Sequence, residues 1–360
     1  MAGWKFKRFS LAGLFLLAAI LLAACRPIDD QIAHYLAHGP TSVRPYVATG
    51  PSCTELEEGA QEALAGVRPP PATARFSAAE RQALAMTAFG HLCELAREVG
   101  WRQSATQEEA KAGELLMDRF TEFGYSPEMQ DFPVRIGPLR RQSSNIVLEL
   151  PGRGEGVVIL GAHYDTVRNS VGANDNASGV SVLLTLAERL AQPPWSSQMV
   201  SVLPFTLRFI AFGSEETGLT GSGHYVRQLT DEELGAIKVM INFDTVGSGT
   251  FLHFRGPIDS QLTGYVSEAV NSWLTGQVSE TVNREGVSVS AMGMREGWNI
   301  SGSSDEAVFR YRDVPTIYFF GNDTARANTR EDTIEFINPV LLGDAALLVL
   351  DLLASLEDLQ

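Results

Sequence analysis

Apolar residues recur along this chain at two spacings, and the switch between them marks how the chain is organised. From 77 to about 99 they fall at helical intervals, and Ser77 with Glu80 three residues later has capping-box spacing, so a helix is expected there. A second helix fits 104–123, closed by Gly124. Strand-like stretches follow at 128–135 and 145–150. Beyond them, short apolar runs at 156–160, 207–212 and 237–243 alternate with helical patterns at 177–190 and 221–228. Strands and helices alternating at these lengths indicate βαβ units. The expected fold is therefore α/β, with a mostly parallel central sheet flanked by helices. Near the end, 316–320 reads as a strand and 339–356 as a closing helix.

The first 76 residues follow neither rhythm. Lys5, Lys7 and Arg8 precede an uncharged, mostly apolar run at 9–24, which is short for a membrane span and reads as an export signal. It ends in Leu22-Ala23-Ala24-Cys25, which resembles the lipobox of bacterial lipoproteins; that resemblance implies that Cys25 is lipidated and becomes the first residue of the mature chain. The run also reads as an uncleaved anchor helix. Either way the folded part is expected in the cell envelope, outside the cytoplasm and beside a membrane. Pro27, Pro40, Pro45, Pro51, Pro69, Pro70 and Pro71 make 25–74 a tether, with room for a short helix at 54–65. The expected division is thus signal peptide 1–24, tether 25–74 and a folded domain 75–360. No later apolar run is long and charge-free enough to span a membrane.

Composition narrows the possible functions. A chain of 360 residues, 44% of them hydrophobic, can bury a large core. With 43 acidic against 28 basic residues the formal charge is −15, which repels phosphate backbones and argues against a nucleic-acid partner. Apart from Cys25, the cysteines are Cys53 and Cys93. An oxidising compartment permits a disulfide between them; two separate buried thiols suit the sequence as well.

The residues able to do chemistry follow the strands. The run at 156–160 continues into Gly161-Ala162-His163-Tyr164-Asp165, and a short loop then leads to Gly172-Ala173-Asn174-Asp175-Asn176-Ala177-Ser178-Gly179 ahead of a helix. The run at 207–212 leads into Gly213-Ser214-Glu215-Glu216, and the run at 237–243 into Asp244. Ligands of open parallel sheets bind outside the carboxyl ends of the strands, so one His and five carboxylates should meet at one edge. Taken singly, each segment reads as a loop hydrogen bond, a turn, a helix cap or an exposed acidic pair. Their order on successive strand ends is what those readings leave unexplained. Clustered carboxylates repel one another unless a cation joins them, and mixed His and carboxylate ligands suit zinc better than magnesium or calcium.

These motifs, G-A-H-Y-D, G-A-N-D-N-A-S-G, E-E-x-G-L-x-G-S and N-F-D, resemble those of the co-catalytic zinc aminopeptidases, a family that includes glutamate carboxypeptidase-type enzymes and glutaminyl cyclases. The resemblance runs from about Ser77 to the end of the chain. It implies two zinc ions and peptide substrates. His163 and Asp244 would hold one zinc, Asp175 would bridge both, and Glu216 would hold the second. Asp165 would orient His163, and Glu215 would be the general base.

Two positions depart from the family pattern. The second zinc usually receives a His from a segment like His-Thr-x-x-Asp-Thr, whereas here Asn328-Thr329-Arg330-Glu331-Asp332-Thr333 puts Asn328 in that place. An amide is a poor zinc ligand, so a weak second site is expected. A catalytically impaired or mononuclear relative is the alternative reading, and Asp323 is a candidate replacement ligand. Glutaminyl-cyclase-like chemistry, whose single zinc uses that late His, fits less well. The second departure is Ser304-Asp305-Glu306, where the family commonly has Ser-Asp-His; Glu306 is expected to alter substrate contacts.

Overall fold

The computed structural model describes residues 51–65, 77–193, 203–250, 252–255 and 304–356. Cys25, the signal segment, most of the tether and residues 256–303 lie outside the described residues. The described part belongs to one compact unit, Ala48–Gln360. Its helices are α1 (Cys53–Ala65), α2 (Ala78–Cys93, continued by a π-helical turn Glu94–Val99), α3 (Gln107–Glu122), α4 (Ser178–Ala191), α5 (Thr220–Gln228), α6 (Asp231–Ala236), α7 (Glu306–Arg310) and α8 (Pro339–Leu356). The strands are β1 (Glu128–Ile136), β2 (Leu139–Leu150), β3 (Gly156–His163), β4 (Phe205–Phe212), β5 (Ile237–Phe243), β6 (Leu252–Arg255) and β7 (Thr316–Gly321).

The strands form one sheet in the order β1-β2-β4-β3-β5-β7-β6. The central strands β4, β3, β5 and β7 run parallel, as the βαβ pattern predicts, while β1 and β2 on one side and β6 on the other pair antiparallel. Several strands are longer than hydropathy suggests, β2 and β3 most of all. In β2 the added residues pair with β1 across a turn at Gly137, and they include Arg140, Arg141 and Gln142, so no apolar run marks them. In β3, pairing with β4 continues through His163 opposite Phe212. Hydrogen-bonded register extends these strands where side-chain polarity does not signal it.

Helices cover both faces of the sheet, so neighbouring residues of one strand serve different cores. Phe209 meets Phe120 of α3, whereas the next residue, Ile210, joins Ile159, Phe212, Met240, Tyr225 and Phe309 under α5 and α7. Burying each such side chain contributes about 1.5–3 kcal/mol. α8 is apolar on nearly every side because it packs into this interior, with Leu342, Ala346, Val349 and Leu350 buried. Its Asp344 takes both arms of Arg81 of α2, at 2.5 and 2.8 Å. No helix among the described residues is long and apolar enough to cross a membrane.

Cys53 and Cys93 are bonded, joining α1 to the end of α2 with their Cα atoms 5.8 Å apart. The bond closes a sequence separation of 40 residues, for which loop-closure entropy gives about 4 kcal/mol of stabilisation. A reductant should therefore lower the urea midpoint of the native chain and leave that of a Cys53→Ser, Cys93→Ser variant unchanged. Equal midpoints with and without reductant in the native chain would count against the bond.

Candidate metal centre

The strand order sets the position of the site. After β3 the chain passes to β4 on one side and later to β5 on the other, so the loops leaving these strands diverge and open a crevice at their carboxyl ends. His163 is the last residue of β3, Glu215 and Glu216 follow β4, and Asp244 follows β5. Asp175 arrives on the segment Ala173–Ala177, entered through Gly172 at φ 59°, where a Cβ would lie 2.3 Å from Thr166 and 2.4 Å from the Asp175 carbonyl. Only glycine fits there. Glu215 and Glu216 occupy a single 3₁₀ turn, Glu215–Thr217, entered through Ser214 at φ 53°.

The six residues singled out on strand ends do converge. His163 Nε2 lies 3.2 Å from Asp175 and 3.6 Å from Asp244. Its other nitrogen, Nδ1, faces the Asp165 carbonyl at 3.2 Å and the Asp165 carboxylate at 3.5 Å, which aims Nε2 at the acidic cluster. Two overlapping ligand sets result: His163 with Asp175 and Glu216, and His163 with Glu215 and Asp244, the potential ligand atoms of each lying within 4.8 Å of one another. The adjacent glutamates therefore serve different sets.

A surrounding layer of residues holds these groups in place. Asp165 accepts the backbone N–H of Glu215 at 2.9 Å and of Glu216 at 3.3 Å, and also the Ser104 hydroxyl, so it orients the turn as well as the imidazole. Asn176 Nδ2 donates to the Phe243 carbonyl at 2.8 Å while its Oδ1 accepts from Gly179 and Thr245, linking the Asp175 loop to the end of β5. Asp332 accepts the backbone N–H groups of Asn174 at 2.7 Å and Asp175 at 2.9 Å. Arg102, fully buried, donates to the carbonyls of Gly100, Tyr164, Val171 and Gly172 and thus ties the His163 loop to the Asp175 loop. Of these, Asp165, Asn176 and Asp332 stand in motifs read from the sequence, Asp332 through the Asn-Thr-x-x-Asp-Thr segment, whereas Arg102 had no signal. Arg102 lies some sixty residues before the loops it binds, between the helices expected at 77–99 and 104–123; the structure shifts the start of the second of these. That helix instead begins at Gln107, capped by Thr106, because Ser104 is engaged with Asp165.

The electrostatics call for a cation. Burial, and then repulsion from Asp175, pushes Glu216 up to about 8. Burial raises Asp305 to about 7, with Asp165 and Asp244 adding to the shift. Glu215 is held well above the usual carboxylate range, chiefly by desolvation. Desolvation pulls His163 down, but the charges of Glu215 and Asp244 outweigh it, and the imidazole ends well above its ordinary value. Glu216 Oε1, Asp244 Oδ1 and both oxygens of Asp305 are buried without a hydrogen-bond partner. Buried orphan oxygens are rare in folded proteins, and a cation among them satisfies several at once. One imidazole with several carboxylates is a donor set that fits zinc.

Comparison with known proteins agrees with the motifs. The sequence model described as peptidase family M28 matches residues 145–353, more than half of the chain. The chain belongs to peptidase family M28. Aminopeptidase YwaD of Bacillus subtilis is 34% identical over 202 residues, 54% of this chain and 39% of that protein. An aminopeptidase of Pseudomonas aeruginosa is 36% identical over 140 residues, 38% of this chain and 24% of its own. The chain thus spans well under half the length of these relatives. Among solved structures, a zinc aminopeptidase from Bacillus subtilis superposes with a TM-score of 0.59 at 20% identity, covering 75% of this chain and 94% of that one. The glutaminyl cyclase of Fimbriiglobus ruber superposes equally, with a TM-score of 0.59 at 17% identity and the same coverages. At these identities the likeness shows a shared fold.

The M28 segment also carries the departures. Asn328 is exposed, with φ 61°, in the loop that supplies Asp332. Asp323 is engaged elsewhere: it accepts from the Ala325 N–H and pairs with Arg326. Glu306, expected to alter substrate contacts, is instead 2% exposed and turned into the protein, where it accepts from Asn242 and the Ser304 N–H and faces Arg310 at 3.4 Å. A carboxylate on the first turn of α7 is drawn to these inward donors, which hydropathy cannot show. The described histidines outside the M28 site also have other partners: His91 meets Glu188, His224 stacks on Phe132 and His253 on Phe320.

Proposed function

We propose that this M28 chain is a zinc-dependent aminopeptidase that removes N-terminal residues from peptides. The observation that carries the reading is the cluster of carboxylates around His163 at the carboxyl ends of β3, β4 and β5, in which Glu216 Oε1 and Asp244 Oδ1 are buried without a hydrogen bond. His163 and Asp244 would hold one ion, Glu216 a second, and Asp175 would bridge them. The names of the aminopeptidase relatives support the reaction class.

A bound divalent cation polarises a carbonyl and acidifies water, lowering its pKa from 15.7 toward about 7. The protein's own part in the chemistry falls to Glu215. Desolvation raises its affinity for a proton above that of an ordinary carboxylate, the direction a general base needs. It takes the proton of the attacking water and returns it to the departing amine. Asp165 holds two peptide N–H groups of the same turn and faces Nδ1 of His163, so base and imidazole keep a fixed relation.

Zinc-loaded chain should release free amino acids from unblocked peptides, with the activity lost to a chelator and restored by zinc. No release at saturating zinc would sink the reading. Asn328 favours a second reading, in which one ion binds tightly and the other weakly or not at all. Asn328→His should raise the zinc count per chain and the turnover together. Histidine tolerates the left-handed backbone at this position. An unchanged count would show that position 328 does not govern the second ion.

Placement in the bacterial cell envelope on a Cys25 lipid anchor is part of the same proposal. The charged and apolar signal segment supports it, as does the Cys53–Cys93 bond, since such bonds persist in oxidising compartments.

A further inference from the structure

Residues 100–109 precede the stretch matched by the family, yet they touch the loop after β3, the loop that carries Asp175 and the turn after β4. Arg102 binds the carbonyls on either side of the crevice loops, Ser104 donates to Asp165, and Glu109 reaches the turn that carries the base.

Glu109 carries the argument furthest. It stands three residues after Thr106, the cap of α3, whose side chain accepts its N–H at 3.3 Å. In a capping box the glutamate bonds back to the N–H of the cap residue itself. Here Oε2 reaches one residue further back, to the Ala105 N–H at 2.6 Å, and Oε1 is turned toward the site. There it accepts the Ser214 N–H at 2.8 Å, the Ser214 hydroxyl at 2.9 Å and the Ser143 hydroxyl at 2.9 Å. Four donors thus converge on one carboxylate that is 1% exposed. Burial and the neighbouring charge of Asp165 push this carboxyl up to about 8, while the hydrogen bonds from Ala105, Ser143 and Ser214 pull the other way and favour its charged form.

What those contacts hold is the entry to the catalytic turn. Ser214 immediately precedes Glu215 and sits at φ 53°, a conformation that residues other than glycine adopt only when their surroundings impose it. Glu109 grips both its N–H and its hydroxyl. A buried carboxyl group, charged or not, is an expensive way to stabilise a helix start, and a polar cap at the surface would serve the helix as well.

We propose that Glu109 is a positioning residue for Glu215, fixing Ser214 and thereby the aim of the base. The inference rests on reading Glu215 as the base of an aminopeptidase. Glu109→Gln keeps the shape but sets an amide NH₂ against one of the four donors. Ser214→Ala removes a single donor and leaves the carboxylate in place. Both would be measured in the full zinc-loaded chain for kcat, KM, zinc per chain and melting temperature.

Misaiming a catalytic group by an ångström costs about a hundredfold in rate. Glu109→Gln should therefore lower kcat by about tenfold to a hundredfold, with KM and zinc content held. Ser214→Ala should show a smaller fall with the same split. Native kcat in both variants would overturn the inference, and so would a loss explained wholly by raised KM or lost zinc. If Glu109→Gln fails to fold, Ser214→Ala decides by the same criteria. A native chain that binds zinc but cleaves no peptide defeats the aminopeptidase reading and this inference with it. An active native chain with unaffected variants defeats the role of Glu109 alone.

Discussion

Glu215→Gln is expected to lower kcat by about 10²–10⁴-fold, the range for losing a general base, while zinc content stays at its native value. The reasoning turns on two neighbours with different surroundings. The Glu216 side chain shares a ligand set with His163 and Asp175 and has a buried oxygen with no hydrogen-bond partner. Glu215 shares a set with His163 and Asp244, close enough to a cation to act beside it. If Glu215 is the base, an amide of the same size leaves the metal in place and removes the proton acceptor. If Glu215 is instead a ligand, the same change lowers the zinc count. Mass spectrometry of the native-state chain beside a turnover assay separates the two outcomes, and Glu216→Gln serves as the opposite case by losing zinc. A Glu215→Gln protein that keeps native turnover would remove the proposed chemistry altogether.

The metal-free chain should be most stable in acid and lose stability as pH rises, whereas the zinc-loaded chain should be much flatter. Glu216 at about 8 and Asp305 at about 7 lie above their ordinary values of 4.5 and 3.8, because burial disfavours the charged form. A folded state that holds these protons more tightly than the unfolded one is favoured below the unfolded values. That advantage is lost as pH rises from about 4 through about 8. The raised His163 acts in the same direction, since its extra proton also favours the folded state. Zinc replaces those protons with its own charge, so it binds more tightly, and stabilises more, at pH 8 than at pH 5. At a thousandfold excess over its dissociation constant the stabilisation is about 4 kcal/mol. Urea midpoints at the two pH values, with zinc and with a chelator, test this directly. A metal-free midpoint that climbs between pH 5 and pH 8 would contradict the charge arrangement of the site.

Much of the molecule was legible in the order of its residues. β5 and α8 have the bounds that hydropathy predicts, because each is dense in apolar residues, broken only by Lys238 and Asn242 in β5 and by Gly343, Asp344, Asp351 and Ser355 in α8. His163, Asp165, Asp175, Glu215, Glu216 and Asp244 were legible for a related reason. A parallel sheet exports its chemistry to the loops after its strands, so each candidate stood beside a pattern that already located it. The extra length of β2 was hidden because backbone pairing with β1, and no apolar face, sustains its first residues.

The sequence alone determined the α/β class and the group of side chains able to bind a cation, since both rest on local periodicity and on chemistry next to it. It left open whether Cys53 and Cys93 pair, and it suggested a substrate-facing role for Glu306. Only the tertiary structure decided that the two cysteines join α1 to α2, that Glu306 turns inward to Asn242, and that Arg102, Glu109 and Asp332 secure the loops of the site. The physical reason is common to all of them. Each depends on which donor meets which acceptor across tens or hundreds of residues, and such pairings exist only once the chain has closed on itself.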